Sequence, residues 1–428
     1  MKALLGLLML ATPLQAATIA ITGGRVATGT AAPVEGATVL IRDGRIVAVG
    51  AVTVPAGATV IDATNKWVTP GLIAAMSRIG LGEVEAVGPT NDAGASKSPF
   101  SAALDVVPGL NAAATPVAIN RIGGITRAAV APEATRDIFG GNGALISLAA
   151  GTDLLMRGRV FQLVELGEDG ARIAGGSRPA AYASLLNALD EAREVAAGRA
   201  RFAAGGDREA IITRADATAL VPIIDGRQAL VVHVERASDI VNVLRLRERF
   251  PKLRLILLGA REGWLVADKI AAARVPVIAL SLEDRPEQFE ALAATRNNIG
   301  RLVAAGVVVA IGSYGDGTGN QTRNLPQFAG NAVAQGRVPG GVGLSWTQAL
   351  GSITAAPAAI WGMTDAGTLS VGKRADVVVW DGDPLELSST PVAVLIDGVP
   401  QSMTSRQTEL RDRYLSLSHD AAPLQYRR

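Results

Sequence analysis

The sequence predicts an α/β protein made of a (β/α)8 TIM-like barrel and a small composite β-sandwich built from both chain ends. Three observations predict this fold. Strand-length apolar runs alternate with helical patterns in the middle of the chain, both ends carry short β patterns, and 428 residues suffice for a barrel of about 250 residues plus a smaller unit. A doubly wound open sheet is the alternative, since periodicity alone cannot distinguish a closed sheet from an open one.

The N-terminus has the pattern of a targeting segment. A lysine follows Met1, residues 3–11 are apolar, and the small residue Ala16 follows Pro13. This pattern predicts that residues 1–16 are a secretory signal peptide and that the protein is periplasmic or secreted. A buried first strand and an uncleaved anchor are the alternatives, although the apolar run is far shorter than the ~20 residues that span a bilayer.

Two Asp-Gly pairs predict β-hairpins at opposite ends of the chain. Asp43-Gly44 separates two strand-like runs, and Asp397-Gly398 follows a strand-like run near the other end. Neither set of strands is large enough to bury a core alone, so we expect both sets to pair in one sandwich. The two parts of the predicted sandwich are residues 17–68 and 364–405.

The predicted barrel occupies residues 69–363, and residues 406–428 are expected to form a surface helix and a loose tail. Glycine-rich residues 140–143 are too short for a phosphate-binding loop, and we interpret them as a turn. Helical patterns follow the first three of the four clearest barrel strands, and a Gly/Asn-rich stretch at residues 312–320 follows the fourth. These strands are expected at residues 229–233, 253–258, 275–280 and 307–311.

Charge and cysteine content exclude several classes of partner and linkage. The 41 basic residues are scattered among 39 acidic ones, and the formal net charge is +2. Without a basic run, neither nucleic acid nor an anionic membrane surface is an expected partner. The chain has no cysteine, so disulfides are excluded. We expect no membrane span after signal cleavage.

Three stretches resemble the metal-dependent amidohydrolase superfamily, particularly its imidazolonepropionase-like branch. Residues 68–73, Val-Thr-Pro-Gly-Leu-Ile, are similar to the start of the first barrel strand. Residues 347–363 resemble the helix after the last barrel strand, and residues 367–380 resemble the return into the β-sandwich. The resemblance implies hydrolysis of carbon–nitrogen bonds with zinc or another divalent metal.

The first barrel strand departs from the family pattern. Where the family continues Asp-Ala-His-x-His, this chain has Ala74, Met76 and Arg78. A guanidinium has no free lone pair and would repel a divalent cation, so Arg78 cannot be a metal ligand. We hypothesise that Arg78 occupies the space and charge of the lost metal, where it pairs with Glu235 or binds an anionic ligand.

Two later strands retain only fragments of the family pattern. Where the family often shows His-Ala-His, His233 keeps one position and Glu235 replaces the other. Tyr314 stands where the family places its catalytic Asp, which implies that the general base is lost with the metal. Asp316 either substitutes for that Asp through a shifted loop or, between two glycines, serves as a turn residue.

His233 and Glu235 are two residues apart on a predicted strand, so both side chains are expected on one face. Either His233 is a surviving ligand or general base, or it is a hydrogen-bonded histidine in a relic pocket. We favour the relic pocket because the chain contains only two histidines, and the other, His419, lies in the tail. A hydrolytic zinc site needs about three protein ligands. We therefore predict no metal cofactor and no confident catalytic residue.

Three classes of function follow. The favoured one is a non-catalytic amidohydrolase-like protein that stabilises or regulates an active relative, as a homo-oligomer or a hetero-oligomer. The second is a hydrolase of carbon–nitrogen bonds in a small amide, cyclic amide or peptide-like substrate, acting through an atypical site around His233, Glu235 and Asp316. The third is a periplasmic small-molecule binder that reuses the barrel mouth. Fold alone cannot choose among them.

Overall fold

The computed structural model describes residues 18–83, 87–198, 210–312 and 319–415. The predicted signal peptide and the last part of the predicted tail lie outside the described residues, as do Tyr314, Asp316 and His419. Within the described ranges, the strands form two eight-stranded sheets.

The strands, numbered in chain order, are β1 (Thr18–Val26), β2 (Val34–Arg42), β3 (Arg45–Gly50), β4 (Thr59–Asp62), β5 (Trp67–Pro70), β6 (Leu72–Ser77), β7 (Ile125–Val130), β8 (Phe139–Ser147), β9 (Leu155–Glu165), β10 (Ala229–Val234), β11 (Arg254–Gly259), β12 (Val277–Ala279), β13 (Val309–Ile311), β14 (Val377–Trp380), β15 (Pro391–Ile396) and β16 (Val399–Pro400). The α-helices are α1 (Thr115–Ile122), α2 (Gly167–Ile173), α3 (Arg178–Ala196), α4 (Arg214–Ile224), α5 (Ala237–Arg249), α6 (Ala267–Ala272), α7 (Asn298–Ala304), α8 (Leu325–Gln335), α9 (Trp346–Ser352), α10 (Ala355–Ile360) and α11 (Arg406–Leu415). No helix among the described residues is long and apolar enough to cross a membrane.

The first sheet combines both ends of the chain. Its main order is β16-β15-β14-β5-β1-β2-β3, with β4 beside β1. The antiparallel pairing of β5 with β14 joins the two ends and places Trp67 opposite Trp380. Both predicted hairpins are confirmed: the φ angles are 50° and 72° at Asp43 and Gly44, and 50° and 75° at Asp397 and Gly398. Such left-handed pairs match the twist of the flanking strands.

The second sheet is a nearly closed barrel. Its strands follow the order β13-β12-β11-β10-β9-β8-β7-β6 without the reversal that a doubly wound sheet would show, so the predicted barrel is confirmed. No hydrogen-bonded ladder between β13 and β6 appears among the described strands. The two strands nevertheless come close: a Cβ on Gly312 would lie 3.3 Å from the Cβ of Ala75.

One barrel strand departs from the expected βα alternation. β8 is antiparallel to both β7 and β9, and the connections on either side of it contain no α-helix. The turn expected at residues 140–143 is wrong, because these residues lie within β8. A Cβ on Gly143 would come within 2.1 Å of the Phe161 ring, so the missing side chain leaves room for that aromatic in the barrel.

Alternate residues of the barrel strands face two different cores. The outer faces pack against the surrounding helices, as with Val232 and Leu257. The inner faces fill the lumen with apolar side chains, as with Leu163 and Leu258. Trp361, just after α10, closes the base of the lumen, where its ring nitrogen donates to the carbonyl of Ala75 at 2.9 Å. The opposite end of the barrel, where the parallel strands β9 and β10 end, is the mouth of the barrel.

Candidate functional site

His233 and Glu165 face each other at the mouth of the barrel. They are register partners near the ends of the neighbouring parallel strands β10 and β9. The Nδ1 atom of His233 lies 2.7 Å from Oε1 and 2.9 Å from Oε2 of Glu165. The imidazole side chain is 20% exposed and the carboxylate 9% exposed, so this contact is largely shielded from water.

Glu235 reaches the other side of the same imidazole. Its Oε1 lies 3.2 Å from Nε2 of His233, and its Oε2 accepts the backbone N–H of Arg261 at 2.8 Å. Gly259 makes this placement possible, because a Cβ there would lie 2.5 Å from the Glu235 carboxylate. The expectation that His233 and Glu235 share one face is thus confirmed.

Arg261 connects this cluster to the loop after β12. Its guanidinium lies 3.7 Å from Glu235, and its Nη2 donates to Oε1 of Glu283 at 2.7 Å. The more exposed Glu287 lies 3.4 Å from the same nitrogen. One cation is therefore shared among three carboxylates, an arrangement that holds Glu235 against His233.

A cavity of about 120 Å³ opens onto these groups. Its walls include four carboxylates but only two basic side chains. The ionisable residues are Asp169, His233, Glu235, Arg261, Glu283 and Glu287. The cavity is therefore small, polar and rich in negative charge.

The environment favours a protonated imidazole. Burial works against the charged form, but the Glu165 and Glu235 carboxylates outweigh it and hold the pKa of His233 well above its usual value. Burial raises the pKa of Glu165, partly opposed by His233, and likewise raises the pKa of Glu283, partly opposed by Arg261. The two carboxylates beside the ring thus favour the protonated form of the imidazole.

The residues predicted from the first barrel strand do not converge on this cluster. Ala74 is fully buried in the outer core between strands and helices, and Met76 packs in the lumen. Arg78 lies at the end of β6, where its Nη1 is 3.5 Å from Glu133. The hypothesised pair between Arg78 and Glu235 is not formed among the described residues, because Glu235 is turned toward β11 and Arg261.

Sequence reasoning missed three members of the cluster: Glu165, Arg261 and Glu283. Glu165 is the last residue of a mainly apolar run of strand length, and Leu166 and Gly167 follow it. A polar residue in this position is the sequence signal for a side chain at the end of a barrel strand. Arg261 lies in the loop after β11, which ends at Gly259, and Glu283 lies in the loop after β12, which ends at Ala279. Tyr314 and Asp316 lie outside the described residues.

The donor set does not fit the divalent metal that the family resemblance implies. A metal-binding imidazole must be neutral with a free ring nitrogen, whereas both nitrogens of His233 face carboxylates. Met76 and Arg78 stand where the family resemblance implies two metal-binding histidines, and a guanidinium has no lone pair to offer a metal. Among the described residues, no group of three or more His, Cys, Asp or Glu side chains is placed to hold a metal ion.

Sequence comparisons identify relatives of this chain. A model of the amidohydrolase family matches residues 149–400, which is more than half of the chain. Amidohydrolase tasK of Hapsidospora irregularis is 48% identical over 60 residues, which make up 14% of this chain and 6% of that protein. This chain thus spans only a small part of the length of that relative.

Solved structures show the same fold. An amidohydrolase from Thermotoga maritima MSB8 superposes with a TM-score of 0.78 at 22% identity, covering 89% of this chain and 99% of that chain. A prolidase complexed with N-methylphosphonate-L-proline has a TM-score of 0.53 at 17% identity, covering 91% and 100% of the two chains. An adenosine deaminase from Xanthomonas campestris with bound zinc has a TM-score of 0.54 at 16% identity, covering 92% and 97%. At such identities the structures support the fold, and the family model supplies the classification: this chain belongs to the amidohydrolase family.

Proposed function

We propose that this chain is an exported amidohydrolase-family protein that lacks metal-dependent hydrolysis and acts as a non-catalytic partner or regulator of an active relative. One observation carries the proposal: carboxylates engage both ring nitrogens of His233. A histidine in this state is a structural cation, whereas a metal ligand must offer a lone pair.

The electrostatics of the mouth support the same proposal. In a metal site the cation neutralises the surrounding carboxylates. Here the raised pKa of His233 favours a protonated imidazole, which places one positive charge between Glu165 and Glu235. The guanidinium of Arg261 places another between Glu235 and Glu283. Protein cations thus take the electrostatic place of a metal, so we propose that no metal cofactor is required.

The architecture of the rest of the molecule favours a partner role. The chain has the barrel and the sheet that combines both chain ends. The side chains at the barrel mouth, however, differ from the metal ligands that the family resemblance implies. A protein that keeps the fold of an enzyme family but lacks its metal chemistry can still provide a binding surface. In an oligomer, that surface contacts a catalytically active family member. We propose a hetero-oligomer with an amidohydrolase that has an intact His-x-His strand, with a homo-oligomer as the alternative assembly.

Metal content of the purified mature protein tests the loss of the metal site. After incubation with excess Zn²⁺ and desalting, we expect well below one zinc per chain by mass spectrometry. An active amidohydrolase treated in parallel supplies the positive control. About one or more tightly bound Zn²⁺ per chain would contradict the proposal.

Co-expression tests the partner role. The chain is produced with an amidohydrolase from the same source that keeps the His-x-His strand, and the purified complex is sized by light scattering. We expect a stable hetero-oligomer and a changed turnover or thermal stability of the active partner. Independent elution of the two proteins, with unchanged activity, would reject this role.

The cavity at the mouth favours one second candidate, a hydrolase of carbon–nitrogen bonds with an atypical site. A protonated His233 beside a small open cavity is placed to donate a proton to a leaving amine. A panel of small amides, cyclic amides and dipeptides tests this reading. Turnover that is lost in His233→Gln and retained in Arg245→Ala, a change on the exposed side of α5, would favour it over the partner role.

A further inference from the structure

A second pocket lies at the opposite end of the barrel from His233. It has a volume of about 440 Å³, and its walls come from the starts of β10 to β13, from α6 and from the end of α10. Most of its lining is apolar, including Ile256, Ile270, Val307 and Ile360. The volume falls within the range of typical small-molecule sites, which are mostly apolar with a few polar groups.

The polar groups of this pocket are three arginines: Arg247, Arg254 and Arg274. No acidic side chain lines the pocket among the described residues, and none of the three arginines takes part in a salt bridge within the described ranges. By contrast, the arginines at the mouth, such as Arg261, are surrounded by carboxylates. The base pocket therefore carries an uncompensated positive charge.

Arg247 is the most informative of the three because it is partly buried. Its Nε donates to the carbonyl of Leu253 at 3.0 Å and its Nη1 to the carbonyl of Ala273 at 2.7 Å. These two contacts fix the orientation of the guanidinium but do not neutralise it. Burial accordingly lowers the pKa of Arg247. A partly buried cation without a counter-ion is costly, and a bound anion would relieve that cost.

We propose that the base pocket binds an amphipathic organic anion, namely a carboxylate with an alkyl or aryl body. The apolar wall would take the body, and Arg247 with Arg254 and Arg274 would take the carboxylate. Both exposed arginines stand at the rim, where they can contact a head group that remains partly in water. The pocket is independent of the mouth, and the inference does not depend on the proposed partner role.

Calorimetric titration of the mature protein tests this inference with octanoate, 1-octanol and octylammonium as probes. We expect octanoate to bind at one site per chain and about tenfold more tightly than 1-octanol, because its carboxylate makes charge-assisted hydrogen bonds to the arginines. Octylammonium should bind more weakly than 1-octanol. Equal affinities for the three probes, or no octanoate binding at millimolar concentrations, would overturn the inference.

Variants locate the site and separate binding from folding. The double variant Arg254→Ala/Arg274→Ala removes only exposed side chains, and Arg247→Met removes the partly buried one. Each should weaken octanoate binding about tenfold and leave 1-octanol binding unchanged. Ala359→Trp should block the pocket for both probes. Arg245→Ala, on the same helix as Arg247 but outside the pocket, is the matched control and should bind like the wild type. Octanoate binding that survives both the double variant and Ala359→Trp would exclude this pocket.

Discussion

Arg127 of the barrel and Asp376 of the terminal sheet form a buried salt bridge with two hydrogen bonds. The Nε–Oδ2 distance is 2.8 Å and the Nη2–Oδ1 distance is 2.9 Å. The two side chains are 2% and 4% exposed. Asp397, from the second hairpin, adds a contact to Nη2 at 2.8 Å. A single guanidinium thus ties strand β7 to the part of the sheet that comes from the C-terminal end of the chain.

Breaking this pair from one side should destabilise the whole fold. Asp376→Asn leaves the Arg127 guanidinium buried with reduced compensation, and the loss of one partner of a buried pair costs about 3–5 kcal/mol. Urea denaturation measures the change in the free energy of unfolding. Asp225→Asn is the matched control, because its pair with Arg227 is exposed and should contribute no more than about 1 kcal/mol. Similar losses in the two variants would contradict the assignment.

The titration of His233 should depend on Glu165. The pKa of His233 is raised mainly by the Glu165 carboxylate, so Glu165→Gln should lower it, and Glu235→Gln should lower it by less. The chain has only two histidines, so NMR titration of the imidazole protons gives two readable curves. His419→Asn identifies which curve belongs to the tail. An unchanged His233 curve in Glu165→Gln would rule out the inferred coupling.

The same groups predict how stability changes with pH. The folded-state pKa of His233 lies above the ordinary histidine value of about 6.5, so its contribution to stability is fully present below about pH 6.5 and is lost as the pH rises through the folded-state pKa. Burial raises the pKa of Glu165, and this also lowers stability as the pH rises above the ordinary glutamate value of about 4.5. We expect the free energy of unfolding in the wild type to be lower at a pH above the folded-state pKa of His233 than at about pH 6.5, and we expect a smaller difference in His233→Gln. Parallel urea titrations at both pH values measure the difference, and identical slopes would contradict it.

Gly259 should be required for the position of Glu235. Gly259 and Gly306 have nearly the same φ, 84° and 85°, but only a Cβ at Gly259 would meet the Glu235 carboxylate. Gly306→Ala therefore measures only the strain of placing an alanine at a positive φ. We expect it to lower the free energy of unfolding by about 1 kcal/mol. Gly259→Ala should cost about 1–3 kcal/mol more, because the carboxylate must move from its partners. Thermal unfolding compares the variants, and equal losses would mean that Glu235 adapts freely.

The local sequence was sufficient for the elements that depend on few neighbours. The Asp43-Gly44 and Asp397-Gly398 pairs predict hairpins because left-handed φ angles are tolerated there by short polar residues and glycine. The predicted strand at residues 229–233 matches β10, and the helix expected after it matches α5. These features follow from the periodic spacing of apolar residues and from the backbone preferences of turn residues. Both depend on residues within about ten positions of each other.

The antiparallel β8 was not predictable in the same way. Its glycine-rich residues 140–143 have the composition of a turn, and they form a strand because the Phe161 ring of β9 fills the space above Gly143. The packing partner lies on another strand, so local propensity points to the wrong structure. Ala74, although at the expected position in the sequence, lies on the outer face of the barrel, between two shifts in the register of β6 against β7.

The sequence by itself indicated the family resemblance, the alternation of strands and helices, the β patterns at both chain ends, and Ala74, Met76 and Arg78 at the donor positions of the first barrel strand. The strand order of the folded chain decided that the alternating elements form a nearly closed barrel and not a doubly wound sheet. Only the tertiary structure decided that His233 lies between Glu165 and Glu235. That arrangement depends on the register of β9 against β10 and on the absence of a side chain at Gly259. Charges on separate strands interact through distance and burial, and neither quantity is encoded in the spacing of residues along one chain.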